Sequence, residues 1–132
     1  MKFIALFILI LISTLVFCQD DYHNREVEPQ KIECHNFSEE FLNIKEAIKS
    51  FSGTTFSFTQ HFKTGKTSGV MAGKFYSCNN DLGYLALKID GKYEIYKELP
   101  VEIWNDFSES NDLDAFYHEN VRGRYTVIAK EE

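Results

Sequence analysis

This chain has few of the motifs that identify a chemistry. It has no Cys-x-x-Cys pair, no His-Glu-x-x-His stretch and no Gly-x-Ser-x-Gly elbow. The first absence removes the common zinc and redox spacings. The second removes a metalloprotease helix face, and the third the strained serine turn of the α/β-hydrolases. Repeats and low-complexity tracts are missing too. Basic residues are scarce and scattered. Only Lys63, Lys66 and Lys74 come near a patch, and a turn plus a strand face accounts for them. No apolar run is long: Phe3 to Phe17 is about 15 residues, while a helix needs roughly 20 to span a bilayer.

That short run is nevertheless the most informative segment present. Met1-Lys2 precedes it, only Ser13 and Thr14 interrupt it, and Gln19-Asp20-Asp21 ends it abruptly. One positive charge, a short apolar core and a polar edge describe a secretory signal over residues 1–18. Val16 and Cys18 suit the small-residue requirement, so cleavage before Gln19 is expected. Two alternatives stay open, a retained anchor and a lipid on Cys18; bulky Phe17 argues against the lipid. The expected location is secreted or periplasmic, with no membrane span once the leader is cut.

Cleavage would leave residues 19–132, a single domain of ordinary size. The chain is 44% hydrophobic and 15% aromatic, too apolar for a disordered protein. All 20 acidic residues follow the leader, and only Lys2 of the 14 basic ones is lost with it, which gives a net charge of −7. Such a surface repels phosphate backbones unless cations are segregated. Cys34 and Cys78 remain after the leader. Outside the cytoplasm they are candidates for a disulfide, with two separate buried thiols as the alternative.

The pattern predicts a small α+β domain over residues 36–130, behind a loose arm at 19–35. Phe37, Phe41, Ile44, Ile48 and Phe51 recur at helical spacing. Asn36 and Glu39 resemble a capping box, and Gly53 is placed to end the helix. From Thr54 to Phe62 the period becomes two, with Phe56, Phe58 and Phe62 on one face. Thr64-Gly65 turns the chain into a second strand over Gly69–Tyr76. Ser77–Gly83 is a loop. Leu85, Leu87 and Ile89 alternate, and Asp90-Gly91 is a strong hairpin signal. Lys92–Lys97 forms the returning strand. Leu99-Pro100 closes it and opens a short helix marked by Val101, Ile103, Trp104 and Phe107. A second short helix follows over Asp112–Asn120. Gly123 breaks it, and Tyr125–Ile128 adds a last strand.

Gly83-Tyr84-Leu85, the hairpin Leu87–Tyr96, Leu99-Pro100-Val101-Glu102-Ile103-Trp104, Phe116-Tyr117 and Val121-Arg122-Gly123-Arg124-Tyr125 follow one another in order. Over residues 78–125 this order resembles the KTSC domain, a small module named for the C-terminal region of some lysyl-tRNA synthetases. The resemblance implies a hairpin, a proline turn, a short aromatic helix and a closing segment. It also implies the RNA-binding role suggested for that family.

Chemistry-bearing residues are few. His23, His35, His61 and His118 have no ligand spacing, and adjacent Cys34 and His35 would need further ligands. No metal and no cofactor is expected. Asp106, Ser108, Ser110, Asp112 and Asp114 alternate like a calcium loop but lack its glycine and its final glutamate. Capping of a helix–turn–helix explains them better. Asn36-Phe37-Ser38 fits the glycan acceptor pattern. The resulting expectation is a non-enzymatic binding module whose partner is a protein rather than a nucleic acid. Its proposed contact surface is Tyr93, Tyr96, Trp104, Tyr117, Arg122 and Arg124, since aromatic and arginine side chains concentrate interface energy. The same aromatics also suit a core, with Trp104 anchoring helix to sheet.

Overall fold

A computed structural model describes residues 30–132. The leader at 1–18, His23 and the arm as far as Pro29 lie outside the described residues. The fold is α+β, as the periodicities imply. A five-stranded antiparallel sheet runs in the order β3-β4-β5-β6-β7, and a two-stranded parallel ribbon joins β1 to β2. The strands are β1 (Ile32–Glu33), β2 (Thr54–Thr55), β3 (Phe58–Lys63), β4 (Val70–Ser77), β5 (Leu82–Ile89), β6 (Lys92–Pro100) and β7 (Thr126–Lys130). Helix α1 (Ile44–Ser52) covers one face of the sheet. Helices α2 (Val101–Glu109) and α3 (Leu113–Phe116) cover the other, α3 running on into a wide turn over Tyr117–Val121.

Two cores result because the central strands are buried on both faces. On the α2 face, Phe75, Leu85, Leu87, Tyr96 and Leu99 pack beneath Trp104 and Phe107. On the α1 face, Ala47 and Phe51 close over Ile95. A bulge in β6 keeps both sets in register. Glu98 takes φ 57°, and pairing jumps from Leu85↔Tyr96 to Gly83↔Leu99. The extra residue lets Tyr96 and Leu99 share the α2 face although they are three apart. Gly83 is required beside it, since a Cβ there would collide with the Tyr76 carbonyl and come within 2.6 Å of the Phe75 ring. The Asp90-Gly91 turn has φ of 50° and 83°, the left-handed pair that a two-residue hairpin demands.

The structure corrects three expectations. The first helix begins at Ile44, not near Phe37. Asn43 is the cap: its side chain accepts from the Glu46 amide at 3.0 Å, and Glu46 in turn accepts from the Leu42 amide at 2.7 Å. Phe37 and Phe41 keep the apolar stripe's contacts from an extended segment, their ring centroids 4.6 and 6.1 Å from that of Phe51. Second, Phe56 does not share a face with Phe58 and Phe62. The strand is interrupted after Thr55, so Phe56 stacks on Phe51 at 5.7 Å while the other two join the α2 core. Third, the arm is ordered at its end. Ile32–Glu33 pairs with Thr54–Thr55, and Cys34–Asn36 forms one tight turn. Exposed Asn36 therefore caps no α-helix.

Replacing Asn43 with alanine removes the side-chain oxygen that accepts from the Glu46 amide. Stability is expected to fall by about 1 kcal/mol, read as a lower denaturant midpoint at unchanged slope.

Candidate functional site

The α1 face is only partly roofed. Nine residues of α1 give about 13 Å of helix. That length covers Tyr76 and Tyr84, whose rings lie 4.9 and 5.1 Å from Phe51. Beyond it the sheet is open. Strand register lays out two cross-strand rows there: Lys63–Ala72–Lys88–Tyr93 and His61–Lys74–Ala86–Ile95. The alanines leave the floor low where the helix stops. Ile48, Phe51, the alanines and the lysines line a groove there of about 400 Å³.

Its lining is one-sided in charge. Lys63, Lys74, Lys88 and His61 line it, and no carboxylate does. The ion pairs among the described residues are Lys66–Asp114, Lys97–Glu39 and Lys130–Glu94, so none engages those three lysines. Lys74 Nζ lies 5.0 Å from the Tyr76 ring centre and Lys88 Nζ 5.4 Å from that of Tyr93. Cation–π contact holds the ammonium groups over the floor without neutralising them. On a chain of net charge −6, this is a segregated positive site.

The six residues expected to form a contact surface do not form one. Trp104, Tyr96 and Tyr117 are 1%, 2% and 5% exposed. Trp104 lies between Phe62 and Phe75 and donates its indole N–H to Gln60 Oε1 at 2.7 Å. The tyrosine hydroxyls meet at 3.2 Å, and both donate to Glu94 Oε2, Tyr96 at 2.5 Å and Tyr117 at 2.9 Å. Arg122 is exposed on a mixed-charge cleft of about 660 Å³ that also contains Tyr117 and Glu94. Arg124 is exposed and donates to the Glu119 carbonyl at 2.6 Å. Tyr93 alone lines the groove, on the opposite face of the sheet from Tyr96.

Partial burial raises the pKa of Glu94, but the two tyrosine hydroxyls and Lys130 outweigh it and hold the carboxyl below the ordinary glutamate range. Burial, and then Glu94 itself, raise both tyrosines. A depressed carboxylate stabilises the fold above its unfolded pKa, and that contribution is lost as pH falls through the folded value. Glu94→Gln is therefore expected to flatten the acid limb of stability against pH. An unchanged acid limb in urea melts across the acidic range would refute this.

Cys34 and Cys78 are joined as a disulfide, with Cα atoms 5.9 Å apart. His35 brings a ring nitrogen close, so that all three potential ligand atoms lie within 4.8 Å of one another. Adjacency thus does not keep Cys34 and His35 from converging, but the disulfide occupies both sulfurs. Of the alternating acids and serines, Asp112 is a cap, accepting from the Ala115 amide at 3.0 Å, and Ser108 donates to the Asn105 carbonyl at 3.1 Å. Asp114 turns away and accepts from the Val70 amide at 2.6 Å and from Lys66 at 3.2 Å. No described helix is long and apolar enough to cross a membrane.

Sequence reasoning missed Lys88 and His61 as site residues and dismissed Lys63 and Lys74. The signal was present, since each is an outward position of an alternating strand. Only the register between strands brings them together. No family model, curated protein or solved structure matches this chain.

Proposed function

We propose that this chain is an exported, non-enzymatic binding module that takes a negatively charged ligand in the groove beside α1. The observation that carries this reading is the gathering of Lys63, Lys74, Lys88 and His61 around an apolar floor with no lining carboxylate. Concentrated cations beside low-dielectric walls raise the local concentration of anions. Ammonium groups and an imidazole hold an anion, and no acid stands in the lining to pair with His61 as a base. The disulfide supports export, as does the apolar leader read from the sequence.

The hairpin, proline turn and aromatic helix that resemble the KTSC domain are consecutive here as β5–β6, Pro100 and α2. They support keeping that resemblance within the proposal. Nucleic acid is the weaker reading. Backbone-tracking sites use a long run of cations, whereas this groove has four basic groups and residues 81–132 carry a net −6.

Titration with the anionic dye 1-anilinonaphthalene-8-sulfonate tests the groove. One saturable site is expected, weakened by moderate salt and lost in Lys74→Glu/Lys88→Glu with the circular dichroism unchanged. Dye binding that ignores the double charge reversal would refute the assignment.

A further inference from the structure

We infer that the ligand of this groove is a free, single-chain anionic amphiphile, its acid head among the lysines and its chain lying on the alanine floor beside α1. The inference rests on the groove being the binding site. The groove's lining combines two chemistries. Ile48, Phe51 and Ile95 are apolar, and Ile48 is 37% exposed. Lys63, Lys74 and Lys88 rise among them with the alanine floor between.

The rows alternate lysine with alanine. Ala72 separates Lys63 from Lys88, and Ala86 separates Lys74 from Ile95. A polyanion laid across these rows would leave the alanine floor and Ile48 against its charges. A ligand with one acidic end matches both chemistries, because lysine stems are themselves apolar and flank a chain well. Charge complementarity selects an anion. The volume of about 400 Å³ is at the small end for ligand sites and holds roughly a dozen methylene-sized units. That excludes a folded protein partner and a two-chain lipid from full insertion.

Calorimetric titration of the disulfide-intact protein with butyrate, octanoate and dodecanoate, each below its micelle concentration, tests this. One site is expected, with affinity rising about fourfold per methylene that the groove buries. Lys74→Glu is expected to weaken dodecanoate about tenfold. Ala72→Phe, which fills the floor, is expected to weaken it comparably; should that variant misfold, the exposed Lys74 substitution still decides. Three outcomes overturn the inference. Affinity independent of chain length, with inorganic phosphate binding as well, leaves an anion site and removes the amphiphile. Dodecanol binding as tightly as dodecanoate removes the role of the cations. Sedimentation with anionic phosphatidylglycerol vesicles, without dodecanoate binding, points to a bilayer surface instead. Binding of no anion at all removes the groove reading itself.

Discussion

Trp104→Ala is expected to destabilise the domain by about 3–5 kcal/mol, the largest effect of any single substitution considered. Trp104 is the only tryptophan. It is stacked between Phe62 and Phe75 with both centroid distances at 5.6 Å and interplanar angles of 15° and 11°. Truncation would open a cavity between α2 and three strands that cannot all collapse inward, because the sheet is held from behind by the α1 core. Trp104→Phe separates the causes. It keeps a ring in the stack and removes the N–H that Gln60 accepts, so it should cost about 1–2 kcal/mol. Denaturant melts followed by circular dichroism give both values. A loss below about 1 kcal/mol for the alanine variant would mean that Trp104 is not the pivot of this core, and would return it to the list of contact residues.

Breaking the Cys34–Cys78 bridge is the second large effect. The cysteines are 44 positions apart, and releasing a loop of that length costs about 4 kcal/mol in the chain-entropy account. Against a typical total stability of about 5–15 kcal/mol, that is a large share. The loss also has a location. The released loop includes β3 and β4, which stay paired in the sheet, and also Phe37, Phe41 and all of α1, which are held by the β1–β2 ribbon, the Glu39 contacts to Tyr84 and Lys97, and the cluster around Phe51. Reduction should therefore loosen the roof of the groove before the α2 core. Hydrogen exchange of the Ile44–Ser52 amides with and without reductant checks this. Equal protection in both states, together with an unchanged denaturant midpoint, would show that the bridge contributes nothing to the fold.

Much of the architecture was legible because it is written in local signals. Asp90-Gly91 fixed a hairpin, Leu85-Leu87-Ile89 fixed a strand face, and Pro100 marked the passage from sheet to helix. The misjudged segments are those where two signals competed. Phe37 and Phe41 have helical spacing, yet the Asn43–Glu46 cap starts the helix later and the disulfide ties the preceding turn down. Phe56 fits a period of two, yet the strand is interrupted by a bend at Ser57 before β3, and the Phe56 ring goes to the α1 face. The candidate site was legible only in pieces. Each lysine reads alone as a solvated strand residue, and their convergence depends on strand registers that no single segment encodes. Aromatic content drew attention to Trp104, Tyr96 and Tyr117. They are used up in packing and in the Glu94 hydrogen bonds, which is the commoner fate of aromatic side chains in a domain this small.

The most direct measurement is an amide chemical-shift map of the disulfide-bonded protein during titration with dodecanoate. Perturbations are expected at His61, Lys63, Ala72, Lys74, Ala86 and Lys88, with Ile48 following on α1. Shifts centred on Tyr117, Arg122 and Arg124, or none at saturating ligand, would contradict the assignment of the groove as the binding site.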